Sequence, residues 1–412
     1  MINYIKDMAR NRSNIVLIAS LLFLLVGTGS IYFIVVALKQ IANEFDWPRT
    51  VPSLAYALQY LGAGFGGIFM GWCLDKRGMG TPAFIGGSMV GLGAIATCFI
   101  TTQWELFFIY GIMLGFLGRS TLFAPLTANI TRWFENNKSL AVGIVGSGQG
   151  IAGMIWPPVF HQLISSIGWR QTALVYGVFS LITMLPLAFI LRQKPPISSP
   201  QPAMHQSNNN QLSLQEAPQS NLRVQISLMI ASIGCCVAMS LPLAHIVSHV
   251  SDLGYDPARG AEVLSVMLAC SALASFFGVG YLGRKYGGLK ALFIFSSGQA
   301  TLLAGLALIE SLPAVYVAAA LFGLGYGGIL PCYPVIVREL LPAAEAGRRT
   351  GLILLCAGFG MAIGSWLGGY IFDLTSSYQL AFIIGVVFNL GNLIIILNLI
   401  IVNGRKSKFL TQ

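Results

Sequence analysis

Apolar residues along this chain run in long blocks rather than at the spacing of an amphipathic helix or an alternating strand. Twelve blocks stand out, over roughly 15–38, 51–74, 81–102, 105–131, 139–164, 171–191, 222–250, 260–282, 289–309, 313–337, 347–372 and 379–402. About 20 apolar residues in a helix cross the ~30 Å hydrocarbon layer of a bilayer, and each block has that length. Inside lipid a backbone must satisfy its own hydrogen bonds, and these blocks are far too long for strands. The pattern therefore predicts an all-α integral membrane protein with twelve transmembrane helices.

Polar residues gather between the blocks, mostly in short turns. One stretch is longer: "QKPPISSPQPAMHQSNNNQLSLQEAPQSN", residues 193–221, rich in Pro, Gln, Ser and Asn. Such a composition cannot bury a core and reads as a flexible cytoplasmic linker. It divides the chain into an N-terminal six-helix bundle, 1–192, and a C-terminal one, 222–412.

Composition agrees. Hydrophobic residues make up 55% of the chain and charged ones only 9%, against about 25% charged in soluble domains. The 47 glycines suit close packing between helices in lipid. The N-terminal apolar stretch is too long for a signal peptide's apolar region and reads as the first span.

A net charge of +10 would suggest a polyanionic partner, but its distribution says otherwise. With the N-terminus placed in the cytoplasm, 19 of the 24 Lys and Arg fall on the inner side and four outside (Lys39, Arg49, Arg170, Arg259). That asymmetry is the positive-inside rule. It predicts cytoplasmic termini in a cell inner membrane and no nucleic acid partner. The seven Cys sit in or beside apolar blocks, none at metal-ligand spacing, so no metal, cofactor or catalytic centre is expected. A single chain is the expected working unit.

The two halves look related. "GWCLDKRG" at 71–78 matches "GYLGRKYG" at 280–287, an offset of 209, and the same offset carries Gly118 to Gly327, Pro125 to Pro334, Trp169 to Tyr378 and Phe179 to Phe388. Two parallel six-helix repeats about an axis along the membrane normal are an arrangement used by secondary transporters. Residues Gly71, Leu74, Asp75, Lys76, Arg77 and Gly78 resemble the signature loop between helices 2 and 3 of the major facilitator superfamily. The second copy has Arg284 in the acid's place. Segments 132–150, 168–177 and 368–382 are similar to the monocarboxylate and oxalate:formate branch of that superfamily. The resemblance implies the major facilitator fold. It also implies a conformational gate in which Gly71, Asp75, Arg77 and Gly78 work against the start of helix 11, near Arg348 and Arg349.

The residue that points to chemistry is Arg119, close to the middle of the fourth block. A charge at that depth costs several kcal/mol unless it faces the bundle interior. No Asp or Glu falls at mid-depth in any block. A guanidinium without a counter-ion suits an anionic cargo, whose carboxylate it can grip bidentately. The offset of 209 carries Arg119 to Gly328, so the charge belongs to one half only.

Four further residues are expected near it. Tyr32, and Tyr326 with Tyr333 seven residues apart on one face, could donate hydroxyls to a carboxylate. His245, on the seventh block, could bind substrate or couple transport to a proton. The reading is a proton-coupled carrier of a small organic anion, a monocarboxylate, working by alternating access. The rival is an exporter of a larger metabolite, siderophore or drug on the same fold. No phosphate-binding loop is present, so ATP is not the expected energy source. The basic residues that the resembled branch often places on helices 1, 8 and 11 are missing, which disfavours a dicarboxylate.

Overall fold

The computed structural model describes residues 2–134, 138–193, 218–275, 279–342 and 345–410. They form helices α1 (Ile2–Glu44), α2 (Thr50–Arg77), α3 (Gly80–Cys98), α4 (Gln103–Phe108), α5 (Ala124–Ile130) and α6 (Lys138–Leu191) in the first half. The second half holds α7 (Pro218–Asp252), α8 (Pro257–Leu273), α9 (Val279–Tyr286), α10 (Gly288–Leu308), α11 (Leu312–Gly327), α12 (Ile329–Leu340), α13 (Ala346–Thr375) and α14 (Gln379–Leu410). Most of the expected linker lies outside the described residues.

Among the described residues, ten stretches are long and apolar enough to cross a membrane, against the expected twelve. The difference has a local cause at two places. The stretch Ala141–Leu191 turns at Gly168, whose φ of 80° only glycine adopts easily, so it holds two helices end to end. The span expected over 260–282 is divided between α8 and α9, with residues 276–278 outside the described set.

The internal repeat is visible in the backbone. Gly78, at φ 76°, ends α2, and Gly287, at φ 81°, separates α9 from α10. Their numbers differ by the expected 209. The central helices are also equivalent: α1 over 23–38 and α7 over 231–250 are buried almost all round, the mark of a helix inside a bundle. Their hydroxyls bond back to their own turns, as Ser20 to the Val16 carbonyl (2.8 Å) and Thr28 to that of Leu24 (2.6 Å). This removes the cost of an unpaired polar group in an apolar interior.

Small residues set the helix spacing. A Cβ added to Gly62 would lie 2.1 Å from the Gly111 carbonyl oxygen, and one on Gly66 2.0 Å from that of Phe116. In the second half, Gly323 and Gly327 approach the carbonyls of Met267 and Ser271 equally closely. Backbone against backbone is the packing that lipid-embedded helices use where no hydrophobic drive separates protein from solvent.

The halves meet along α2–α13 and α6–α8. One face of the molecule gathers the turns 45–49, 99–102, 168–170, 253–256, 309–311 and 376–378, tied together by polar contacts. Within the first half, Glu44 holds the Arg170 guanidinium at 2.8 Å, and Arg170 also donates to the Cys98 and Ile100 carbonyls. This is the first face below; the second face holds the α2–α3 turn and the end of α6.

Candidate functional site

The fourth predicted span is not a continuous α-helix. After α4 the chain winds as a π-helix over Ile109–Gly118, tightens into a 3₁₀ turn over Arg119–Thr121, and resumes as α5. π-helical turns are rare and recur at functional sites. Here the winding changes directly at Arg119, so its direction does not follow from a count of 3.6 residues per turn.

The guanidinium is half-buried, with its Cζ 4.5 Å from the centroid of the Tyr60 ring. No carboxylate among the described residues forms an ion pair with it. Tyr60 packs on Tyr56, one turn back, with ring centroids 5.1 Å apart and hydroxyls at 3.5 Å. Tyr32 and Tyr326 complete the group: the Tyr32 phenol lies within electrostatic reach of Arg119, Tyr60 and Tyr326. Among the described residues the Tyr32 hydroxyl has no hydrogen-bond partner, and Tyr326 lies beside Ser271. Phenol hydroxyls gather near one cation, and no anion of the described residues is among them.

Magnitudes decide what this arrangement lacks. A cation near the bilayer centre costs several kcal/mol on insertion scales. A cation–π contact returns about 0.5–2 kcal/mol. Tyr60 therefore offsets only part of the charge's cost, and the remainder falls to solvent or to an anion from outside the chain.

Two other expected residues stand elsewhere. Tyr333 is wholly buried inside the second half, its hydroxyl 3.3 Å from the Cys235 sulfur. It does not share a face with Tyr326 because the helix breaks at Gly328, and the break resets the phase between α11 and α12. Gly328 is the repeat-equivalent of Arg119, and a Cβ there would sit 2.2 Å from the Phe295 ring. Both repeats thus interrupt this helix at the same place, and only one has room for a side chain.

His245 is not brought to Arg119 either. It lies under the first face, fully buried, with Nε2 2.8 Å from the Ser365 carbonyl and its ring against Tyr378 at 4.9 Å. Among the described residues its Nδ1 has no hydrogen-bond partner, nor has Nε2 of His249 one turn on. Pro242 precedes this pair within α7.

Above the histidines, the first face is latched between the halves. Arg49 grips both carboxylate oxygens of Asp252 and bonds the Tyr378 hydroxyl at 3.0 Å. Its guanidinium also covers the Phe372 ring, 3.6 Å from the centroid. Lys39 reaches Asp252 at 3.0 Å. Asp373 of α13 accepts from the backbone N–H groups of Arg49 and Thr50, each at 2.8 Å, so a carboxylate of one half caps the N-terminus of α2 in the other. Burial disfavours the charge on Arg49, but its bonds to Asp252 and Tyr378 outweigh that and raise its pKa. Burial pushes the Tyr378 phenol up to about 12, with Arg49 pulling the other way.

This latch was not foreseen from the sequence. Its members are ordinary turn charges, separated by 203 residues (Arg49 to Asp252) and 324 (Arg49 to Asp373). The hints were indirect: Phe372, Asp373 and Tyr378 fall in the segment 368–382 noted for its resemblance, and Lys39 and Arg49 are two of the four outer cations.

The second face is different. Asp75 pairs with Arg132 of its own half at 2.8 Å, and Arg349 with Glu345 of its own half at 2.7 Å. Arg77 and Arg348 are exposed, and no ion pair crosses from Asp75 to α13 among the described residues. The seam itself parts. Contacts across it reach Gly64–Leu355 and Phe65–Phe359, whereas a Cβ on Gly67, Gly71, Gly347 or Gly351 would meet nothing within 4 Å. Among the described residues the expected Asp75–helix 11 contact is not made in this conformation, in keeping with the open space around those glycines.

Two repeated helical bundles, closed against each other on one face and parted on the other around a half-buried cation, are the build of a membrane carrier. The sequence settles the class further. It matches the Major Facilitator Superfamily over residues 18–353 and again over 308–412, and the chain belongs to that family. It is a multi-pass membrane transporter, not an enzyme.

Its relatives include monocarboxylate transporter 13 of Rattus norvegicus, 26% identical over 377 residues, covering 90% of this chain and 84% of the relative. Monocarboxylate transporter 11 of Homo sapiens is 24% identical over 373 residues, covering 84% and 74%. An MFS-type transporter of the fungus Ophiocordyceps sp. is 26% identical over 294 residues, covering 70% and 62%. Among solved structures, the nucleoside transporter NupG superposes with a TM-score of 0.73 at 14% identity, covering 94% of this chain and 99% of that one. A bacterial homolog of the human lysosomal transporter Spinster, captured inward-facing and unoccupied, gives 0.73 at 15% identity, covering 93% and 96%. At such identities the likeness speaks for the fold alone.

Proposed function

We propose that the chain is a secondary active carrier of a small organic anion, a monocarboxylate, and that Arg119 is the group that binds it. The observation that carries this reading is a half-buried guanidinium with a tyrosine ring beneath it, phenols around it and no carboxylate partner among the described residues. The kinship with proteins named monocarboxylate transporters supports the choice of cargo. With one cation at the site, charge balance favours a monoanion over a dianion.

Transport proceeds by alternating access. The bundles 1–192 and 222–412, joined by the linker 193–221, rock about the site. By the asymmetry of Lys and Arg, the first face is outside, the second face and both termini are cytoplasmic, and the membrane is a cell inner membrane. The conformation described here is then open to the cytoplasm. When the seam closes there, Asp75 and Arg77, between Gly71 and Gly78, come to face Arg348. A proton travels with the anion, and His245 is the candidate coupling group, acting at the outer latch rather than at the anion.

The test is uptake of radiolabelled acetate, lactate and benzoate into proteoliposomes, with and without an inwardly directed proton gradient, for wild type and Arg119→Gln. Saturable, gradient-stimulated uptake of at least one monoanion, abolished in the mutant, is the expected result. Equal transport by the mutant would remove Arg119 from the site. Failure of the whole panel together with dye efflux would point to an exporter.

A further inference from the structure

The Arg119 side chain leaves the backbone inside a single 3₁₀ turn, between a π-helix and a fresh α-helix, where no regular helix phase fixes its direction. Among the described residues no hydrogen bond restrains its guanidinium. What meets it is the ring of Tyr60, at 4.5 Å.

That ring is itself well fixed. Tyr56, one helical turn earlier and 4% exposed, packs on it at 5.1 Å with the planes at 48°. The backbone carrying both is held against the π-helix by Gly62 and Gly66, whose contacts leave no space for a side chain. On the other side, the Tyr60 carbonyl faces Gly358 of α13 across the seam between the halves, 3.9 Å from where a Cβ on that glycine would sit. Tyr60 is thus a packed aromatic platform under a cation that no hydrogen bond restrains among the described residues.

We propose that Tyr60 is the positioning residue of the anion site: it holds the guanidinium by one face and so leaves its edge free for a carboxylate. A guanidinium binds a carboxylate through parallel N–H groups along one edge, and a ring on its face does not compete with that edge. The inference rests on Arg119 taking the anion. The Tyr60 hydroxyl matters little, because its contact with Tyr56, at 3.5 Å, is at the limit of a hydrogen bond. The aromatic face is the working part.

The experiment measures KM and Vmax for acetate, lactate and benzoate in proteoliposomes for Tyr60→Phe, Tyr60→Trp, Tyr60→Leu and Arg119→Gln, each checked for folding by thermal unfolding in detergent. Tyr60→Phe and Tyr60→Trp keep the wild-type KM within about twofold, because both retain a π face. Tyr60→Leu raises KM roughly tenfold with Vmax within about twofold, since ground-state binding is lost while the conformational cycle is intact. Wild-type KM in a folded Tyr60→Leu, alongside an inactive Arg119→Gln, overturns the positioning role and leaves the anion site standing. The same loss in Tyr60→Phe as in Tyr60→Leu also overturns it, because the hydroxyl would then be what counts. Undiminished uptake by Arg119→Gln, or no Arg119-dependent uptake anywhere in the panel, overturns the anion reading and this inference with it.

Discussion

At the scale of single residues, a mid-membrane charge is tolerated only if something balances it, and here the balance is incomplete. Arg119 has a ring on one face and phenols nearby, neither of which neutralises it. Arg119→Lys therefore keeps the charge but loses the planar, two-pronged grip and the stacking on Tyr60. Uptake should persist with KM raised roughly 10- to 100-fold, as expected for the loss of one bidentate contact. Concentration-dependent uptake of the transported monoanion measures this, and a wild-type KM would mean that only charge is read.

The latch gives a residue-scale prediction about pH. Arg49 has a raised pKa and Tyr378 one of about 12, so neither changes charge in the working range. A raised pKa confers its stabilisation at all lower pH and loses it only as pH climbs through the folded value, which here is far above neutrality. These two groups therefore hold from about pH 6 to about pH 9. With the seven native cysteines replaced, thiol labelling of Ser53→Cys, buried on α2 beneath the latch, should be equally slow at both ends of that window once divided by the rate of a free thiol at the same pH. A normalised rate that climbs at the alkaline end would show that Arg49 or Tyr378 titrates in range, since the thiol's own ionisation is divided out.

At the scale of elements, the close approach of α2 to the π-helix is what brings Tyr60 under Arg119. Gly66→Leu would drive a side chain into the Phe116 carbonyl, where even a Cβ would sit at 2.0 Å. The helices must separate, so both stability and site geometry should suffer. A loss of about 1–3 kcal/mol is expected for overpacking a tight interface. Thermal unfolding in detergent should show a clear fall, and KM should rise with it. Gly71→Leu, whose Cβ would meet nothing within 4 Å, is the control and should leave unfolding unchanged.

Elements also explain how far the sequence could be read. The spans were legible because lipid demands long apolar helices, and the repeat because both copies keep a positive-φ glycine after the same loop, Gly78 and Gly287. Arg119 was legible because charge and depth conflict. Tyr60 was not, since its role depends on a π-helical stretch and a 3₁₀ turn that shift the phase of Arg119. Tyr333 was misplaced for the complementary reason: the seven-residue spacing assumes an unbroken helix, and Gly328 breaks it. The latch was hidden because nothing local distinguishes Arg49, Asp252 or Asp373 until folding brings three distant turns together.

For the whole molecule, a single central site serves two sides of a membrane only if its two faces close in turn. The described conformation has one closed, and the seam supplies a way to hold it so. A Cβ on Gly369 would lie 2.8 Å from the Cβ of Ser53 across the first face. A disulfide prefers about 3.8 Å between these atoms, so a Ser53→Cys, Gly369→Cys pair can bond with the seam eased by about 1 Å, not stretched open. In a background where the seven native cysteines are replaced, oxidation of this pair should abolish uptake, and a reductant should restore it. Gly351→Cys, placed where the second face parts, should label as fast in the locked protein as in the reduced one. Uptake that survives complete oxidation would mean that the first face need not open for the cargo to pass. The rocking of two halves about Arg119 would then be the wrong mechanism for this chain, even if Arg119 still binds the anion.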